Sequence, residues 1–398
     1  MPMKIMFVAN RVPYPPYRGD KLKIWNLAKR LSINHELYLY TIAQDKEELQ
    51  HIEKLKTVFK EVHIIFLPKW KSIIKTAFAV FNNIPFQVAY FQSKLFSKML
   101  QGALESNEFD AIHIQHIRMS RYFRDLPKNN AVLDLPDAFS LYWKRRAERA
   151  RWPWLRWFAA VEQRRLFNME SSFLKAFPLT LVCSEEDKNY LSEFAGANIQ
   201  VLPNGVDTEV FYPRENVQPE PYRILFTGNM DYAPNVDAVE YFCDEILPLI
   251  IERFPLLKFV IAGQRPVKRV LDLASDIVLV TGFIKDISEE YAKAALVVAP
   301  LRFGAGTQNK VLEALAMGVP VVCTHVGFKG LGIQNGEGAF MARNTLEFAT
   351  EVNRLLETEQ NRKQMAGKGI QKIVTTFGWD AITAKLLMYL ESVKTQSS

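Results

Sequence analysis

The sequence predicts an α/β protein made of two Rossmann-like, doubly wound domains. Three features lead there. At 398 residues the chain exceeds what one hydrophobic core ordinarily organises, and two domains of about 200 residues each are the natural expectation. Short apolar runs alternate with charged segments of helical period through both halves, the pattern of parallel strands joined by crossover helices. In the second half several of those runs stop at Gly or Pro, at the sheet edge where doubly wound folds bind ligands.

In chain order, Lys4–Ala9 (KIMFVA) reads as a buried strand, 13–19 as a Pro/Gly loop, and 20–31 as a helix with Asp20 at its N-cap. Further strands are expected at 36–42, 62–67, 111–114, 131–135 and 179–183. The segment 205–222, rich in Pro and acidic residues without periodicity, reads as a linker. A second series follows, with strands at 223–228, 257–263, 277–281, 296–299 and 319–323. The last helix, 379–393, is amphipathic and is expected to cross back to the first domain. The resulting division is 1–204, 205–378 and a closing helix 379–398. No Gly-x-Gly-x-x-Gly follows the first strand, which disfavours a dinucleotide-dependent dehydrogenase.

Charge is unevenly spread. Residues 1–200 hold 30 Lys+Arg and 20 Asp+Glu, net +10; residues 201–398 hold 20 and 23, net −3. The asymmetry points to an anionic partner for the first half. Cys183, Cys243 and Cys323 are far apart and odd in number, which suits a reducing compartment and neither a disulfide framework nor a zinc cluster. With no secretory leader and no run of about 18 apolar residues, a cytoplasmic protein is expected.

The segment APLRFGAGTQNKVLEALAMGVPVV (299–322) runs from a strand through a Gly-rich turn into a helix and on to a new strand. Gly304 and Gly306 let backbone approach an anion, and a helix starting near Thr307 would aim free N–H groups and a partial positive charge at it. Thr307 adds a hydroxyl, Gln308 or Lys310 a donor, and Glu313 a carboxylate able to accept both hydroxyls of a ribose. Read alone, the same residues also describe a plain helix start with a solvent-facing Glu.

This stretch resembles the donor-binding segment of glycosyltransferase family 4, the retaining enzymes of the GT-B fold, in which two Rossmann-like domains face each other across a cleft. LPNGVDTEVFYP (202–213), ILFTGNMDYAPNVDAVEYF, FVIAGQRP, VTGFIKDISEEYAKAALVVAPL, VCSEEDKNYL and FGWDAITAKLLMYL resemble the family's other landmarks in order and spacing. The wording is most similar to a bacterial subgroup linked to exopolysaccharide or cell-surface glycan synthesis. The resemblance implies transfer of a sugar, with retention, from a nucleotide diphosphate sugar to a glycan or lipid-linked acceptor. It implies no cofactor. Donor contacts would fall at Gly19, Gly228, Asn229, Gly263, Arg265, Phe283, Ile284, Gly304, Gly306, Thr307, Gln308, Lys310 and Glu313. Two departures stand out. Where many members carry a first Glu, this chain has Ala305, and where many carry an Arg and then a Lys for the diphosphate, Gly228 is followed by Asn229 and Met230. Lys310 or Arg265 would replace that charge.

In the first half, Asp110-Ala-Ile-His-Ile-Gln-His116 resembles the family strand whose end meets the sugar. Gln115 and His116 at its tip are the candidate catalytic residues, with Asp137; His113 is either a core histidine or a ligand. Asp134 and Asp137 flank Leu135-Pro136, where either an acceptor hydroxyl or simple turn chemistry would use them. No Asp-x-Asp or His cluster stands ready for a metal, so the leaving phosphate would be met by loop amides, a helix N-terminus and a cation. The window Trp143 to Arg165 holds eight basic residues against two acidic ones, interleaved with Trp143, Trp152, Trp154, Trp157 and Phe158. It suits an anionic membrane surface at the inner face or a packed helix with a wet basic face; nucleic acid is not expected. The rival functions are a GT-B epimerase or an inactive nucleotide- or glycan-binding subunit.

Overall fold

The computed structural model describes residues 2–150, 152–304, 308–367 and 369–394. The chain divides into two compact units, Met1–Asn204 with the C-terminal segment from Ile382, and Gly205–Ala381.

The first unit holds a seven-stranded parallel sheet: β1 (Lys4–Ala9), β2 (Glu36–Ala43), β3 (Glu61–Phe66), β4 (Ala111–Gln115), β5 (Ala131–Leu135), β6 (Leu179–Val182) and β7 (Ile199–Val201), in the order β3-β2-β1-β4-β5-β6-β7. Every residue of β4 and β5 is buried, as is β1 after Lys4, which is why these strands read as mostly apolar runs, interrupted only by His113, Gln115 and Asp134. Each Val, Leu, Ile, Phe or Met side chain among them removed from water contributes about 1.5–3 kcal/mol. The chain leaves β1 toward one edge and β4 toward the other, so the topological switch lies between their C-terminal tips.

The second unit repeats the plan with six parallel strands: β8 (Arg223–Thr227), β9 (Lys258–Ala262), β10 (Val278–Gly282), β11 (Leu296–Ala299), β12 (Val321–Thr324) and β13 (Ala339–Ala342), in the order β10-β9-β8-β11-β12-β13. Its switch lies between β8 and β11. The final helix, Trp379–Lys394, starts in this unit, where Trp379 is buried and its amide donates to Val206 O at 3.3 Å. A Cβ on Gly205 would lie 2.5 Å from the Trp379 ring, so that position needs glycine. At the other end Lys394 pairs with Asp110 in the first unit at 2.7 Å.

The α/β doubly wound expectation is met twice. Two strands were missed, β7 and β13. Both are sheet edges of three and four residues, too short for a periodicity to register. The first helix spans Gly19–Leu31 with Arg18 at its N-cap, so Asp20 is not the cap. It sits in the first turn, where its carboxylate takes Arg11 at 2.9 Å and the Lys21 amide at 3.0 Å.

Candidate active site

At the second switch point, the loops after β8 and β11 meet through side chains. Lys310, the second residue of the helix Asn309–Ala316, donates from Nζ to Asn235 Oδ1 at 3.0 Å. Asn235 in turn donates to Asn229 O at 3.0 Å, and Gln264 donates to Asn229 Oδ1 at 2.8 Å. The ammonium also lies 5.0 Å from the centre of the Phe226 ring. Lys310 is 7% exposed, and burial pushes it down to about 8 despite the nearby Glu313. A buried ammonium with three N–H groups and one protein acceptor, a neutral oxygen, is suited to receive a phosphate.

Glu313 stands one turn further along. Tyr291 donates to its Oε2 at 2.8 Å and is itself fixed by Thr227 at 2.6 Å. Burial raises the Glu313 carboxyl above its ordinary value, opposed by Tyr291 and Lys310. Its Oε1 has no protein partner among the described residues. One oxygen is thus held while the other is open.

The tips of β8, β9 and β10 gather the other expected donor residues along one edge. The amide of Gly263 donates to Gly282 O at 3.1 Å, and that of Met230 to Gln264 O at 2.9 Å. Arg265 adopts φ +57° and extends outward, 3.7 Å from Asp231. Phe283 is 57% exposed, whereas Ile284 packs partly buried on the core. Gly304 ends the described part of the loop; Ala305, Gly306 and Thr307 lie outside the described residues. The helix N-cap is Gln308. The glycines at the tips have a reason inside the protein. A Cβ on Gly263 would fall 1.7 Å from Gly228 O, and one on Gly228 2.5 Å from Asn235 Nδ2.

The switch of the first unit, between β1 and β4, assembles a second polar cluster. Gln115 donates to Asp20 O at 2.8 Å. His116 has φ +81°, is 3% exposed, accepts the Arg118 amide at 3.2 Å on Nδ1 and stacks on Phe139 at 4.3 Å. Burial, then Arg118 and Arg11, keeps it well below the ordinary imidazole value. It is therefore a neutral ring, an acceptor or donor rather than a cation, at physiological pH. Asp137 is held well above the carboxylate range by burial and by Asp187 and Asp20. Arg118 donates to Gln87 at 3.1 Å, lies 5.0 Å from the Phe91 ring centre and is lowered to about 9 by burial and Arg11. Gly19 leaves open space where a Cβ would stand.

Sequence reasoning missed several of these groups. Asn10 follows β1 with both side-chain polar atoms buried and unpartnered; Arg11, Arg118, Asn235 and Tyr291 were passed over as well. Asn10 and Arg11 were legible in principle, since they are the first residues past a strand at the switch. Tyr291 was not, because only folding brings it to Glu313. Asp134, expected as a hydroxyl ligand or turn residue, is neither. It is fully buried, with Oδ1 taken by Lys23 Nζ at 2.8 Å and Oδ2 bonded to His113 Nε2 at 3.1 Å. His113 belongs to the core.

Comparison with known proteins finds a family match in each unit. Residues 24–210 match the family described as Glycosyltransferase Family 4, and residues 221–358 match Glycosyl transferases group 1. The chain is a glycosyltransferase with a family 4 domain and a group 1 domain. It is 23% identical over 397 residues to the "uncharacterized 44.6 kDa protein in cps region" of Klebsiella pneumoniae, covering 91% of this chain and 93% of that one. Among solved structures, sucrose-phosphate synthase of Thermosynechococcus elongatus superposes with a TM-score of 0.73 at 14% identity, covering 99% of each chain. Anabaena HepE in complex with UDP and glucose gives 0.68 at 16%, covering 98% of this chain and all of the other. These likenesses identify the GT-B fold.

Within the glycosyltransferase, the window from Trp143 to Arg165 divides into two kinds of residue. Trp143 packs partly buried on the core with Arg146 4.8 Å from its ring centre. Arg145 pairs with Glu186 at 2.5 Å, and Arg165 donates to backbone carbonyls. Arg151 lies outside the described residues. Trp152, Trp154 and Trp157 are 63%, 65% and 66% exposed. In the transferase's second unit, Gly263→Ala should be costly. At φ +155° and with Gly228 O in the way, the strand tips must part, at about 1–3 kcal/mol of backbone strain or more. Thermal unfolding should show the loss, and donor affinity should fall with it; a variant with wild-type unfolding and affinity would mean the tips give freely.

Proposed function

We propose that this glycosyltransferase moves a hexosyl group from a nucleotide diphosphate sugar to the hydroxyl of a glycan or lipid-linked acceptor, with retention and without a metal, in bacterial surface polysaccharide or glycolipid synthesis at the cytoplasmic face of the membrane. The observation that carries the reading is the Lys310–Asn235 contact across the second switch point, with Glu313 beside it. A buried ammonium at the strand tips suits a diphosphate, and a carboxylate with one open oxygen suits a ribose. Binding of UDP and glucose by HepE and the cps-region setting of the Klebsiella relative support the same ligand class and pathway class. Gln115, His116 and Asp137 would face the sugar and acceptor. A neutral His116 can donate to a sugar hydroxyl, while burial and the neighbouring carboxylates bias Asp137 toward its protonated form, in which it donates to a hydroxyl. The departing diphosphate, held by Lys310, would take the acceptor proton.

The test joins titration with turnover. A screen of nucleotide sugars should yield one donor that is both bound and hydrolysed, and NMR of the transferred sugar should show the donor's anomeric configuration. Glu313→Gln should weaken nucleoside binding by roughly 1.5–3 kcal/mol, the value of a hydrogen bond to a charged group. Unchanged nucleoside affinity would remove Glu313 from the ribose. Binding without any hydrolysis or transfer would favour an inactive subunit, and inversion or isomerisation of the sugar would favour an epimerase.

A further inference from the structure

The Lys69–Phe78 helix and the turn Ala79–Phe81 are built inside out. Trp70, Ile73, Ile74, Ala77, Phe78 and Phe81 recur at the spacing of one helical stripe, yet that stripe is the exposed one. Trp70 is 59% exposed, Ile73 61%, Phe78 66% and Phe81 88%. The face turned inward carries Ser72 and Ala79, both fully or nearly fully buried. Lysines edge the stripe. Lys69 pairs with Asp45 at 2.6 Å, Lys71 lies 5.3 Å from the Trp70 ring centre, and Lys75 donates to Gln92 O at 2.6 Å.

The stripe is held in place. Arg165, on the helix Pro153–Phe173, donates to the carbonyls of Ala79 at 2.9 Å, Ile84 at 3.2 Å and Val80 at 3.3 Å. Phe158 of the same helix stacks on Phe86 at 5.1 Å. The start of that helix bears the exposed Trp154 and Trp157.

We propose that the Lys69–Phe81 face inserts into the surface of an anionic lipid bilayer, its apolar side chains entering the acyl boundary and the exposed Lys69 and Lys71 lying among the headgroups. This goes beyond the transfer reaction and holds whatever sugar is moved. Charge and shape together select the occupant. A second copy would bring a like-charged surface to this one, since residues 1–200 carry net +10, and like charges oppose a symmetric pairing. Nucleic acid would use the lysines but gain nothing from Ile73, Ile74 or Val80, which cannot stack on bases. An anionic bilayer satisfies both halves of the pattern, hydrocarbon for the stripe and phosphate for its rim. No helix among the described residues is long and apolar enough to cross the membrane, so the contact would be interfacial.

The experiment is cosedimentation of the full chain with vesicles of phosphatidylcholine alone or mixed with phosphatidylglycerol, at low and high salt. The wild type should bind the anionic vesicles and release as salt screens the headgroups. Replacing Ile73→Ser and Phe78→Ser together should lower partitioning by roughly a hundredfold, about tenfold for each large apolar side chain. Phe81→Ser, at a position 88% exposed that the core does not use, should lower it about tenfold. Nucleotide affinity of these variants should match the wild type, which separates failure of docking from failure of the transfer reading. Serine variants that bind vesicles as the wild type does, or wild-type binding indifferent to lipid charge, would overturn the proposal. So would a dimer in sedimentation velocity that dissociates on the serine substitutions, since the stripe would then be a contact between copies.

Discussion

Lys310→Met is expected to cut affinity for a nucleoside diphosphate by roughly ten- to a hundredfold while leaving affinity for the nucleoside nearly unchanged. A charge-assisted contact to phosphate is worth about 1.5–3 kcal/mol, and Lys310 is the buried cation at the second switch point. The substitution should not destabilise the fold, because methionine fills a similar volume and removes a charge that burial disfavours. The pH dependence follows from the same burial. The Lys310 ammonium titrates at about 8 in the folded chain against 10.5 for an ordinary lysine. Diphosphate affinity should therefore fall as pH rises through about 8. Stability moves the other way: between pH 8 and 10.5 the unfolded chain binds more protons at this lysine, so its penalty on folding fades as pH rises. Titration calorimetry with a nucleoside and its diphosphate at pH 7 and pH 9 reads the affinities, and urea unfolding at pH 8 and pH 10 reads the stability. Equal losses for both ligands, or an affinity flat across that range, would take Lys310 out of the phosphate role and leave Arg265, whose exposed guanidinium stands at the tip of β9, as the remaining candidate.

The alternation of elements was readable in the sequence because parallel strands are buried on both faces. KIMFVA, AVLDL and LVVA admit no other economical reading, and the residues that end them fall at the sheet edge. The donor edge was legible for the same reason: Gly228, Gly263 and Gly282 mark strand tips one after another. What the letters could not convey is which polar groups the tips bring into contact. Asn235 is unremarked in its own segment and matters because it meets Lys310, 75 positions away. Asp134 looked like a ligand because it stands near a strand tip beside a proline; its neighbours across the sheet and from the first helix make it a core residue. The window from Trp143 to Arg165 divides in a way its composition could not show: Arg145 and Arg165 are engaged inside the first unit, whereas Trp152, Trp154 and Trp157 stay exposed, and a second exposed apolar surface, the Lys69–Phe81 segment, lies elsewhere in the chain. A periodicity says that a helix has an apolar face and is silent on which way that face points.

The largest effect on stability is expected at Asp134. Its two oxygens hold Lys23 and His113 in a cluster where the Lys23 and Asp134 side chains are 1% and 0% exposed. Lys23 also donates to Leu202 O at 3.0 Å, so one buried residue ties the first helix to β5 and to the chain after β7. Burial alone would raise the Asp134 carboxyl, but Lys23 and His113 outweigh it and hold it below 3.8. In the same way Asp134 outweighs the burial of Lys23 and keeps its ammonium above 10.5. Asp134→Ala leaves that ammonium buried with neutral partners, at a cost of about 3–5 kcal/mol. Lys23→Met added to an Asp134→Leu background removes both charges and should recover most of the loss. The carboxylate's contribution is fully present above its unfolded value and should be lost as pH falls through the depressed folded one, so wild-type stability should drop below about pH 4 more steeply than that of the double variant. Urea unfolding of the wild type, the single variant and the double variant at pH 7 and near pH 4 measures each step. A single variant within about 1 kcal/mol of the wild type would show that water reaches Lys23 once Asp134 is gone. A double variant no better than the single one would mean that the pair is needed to specify how the first helix seats on the sheet, and with it the position of Asp20 and Gln115 at the first switch.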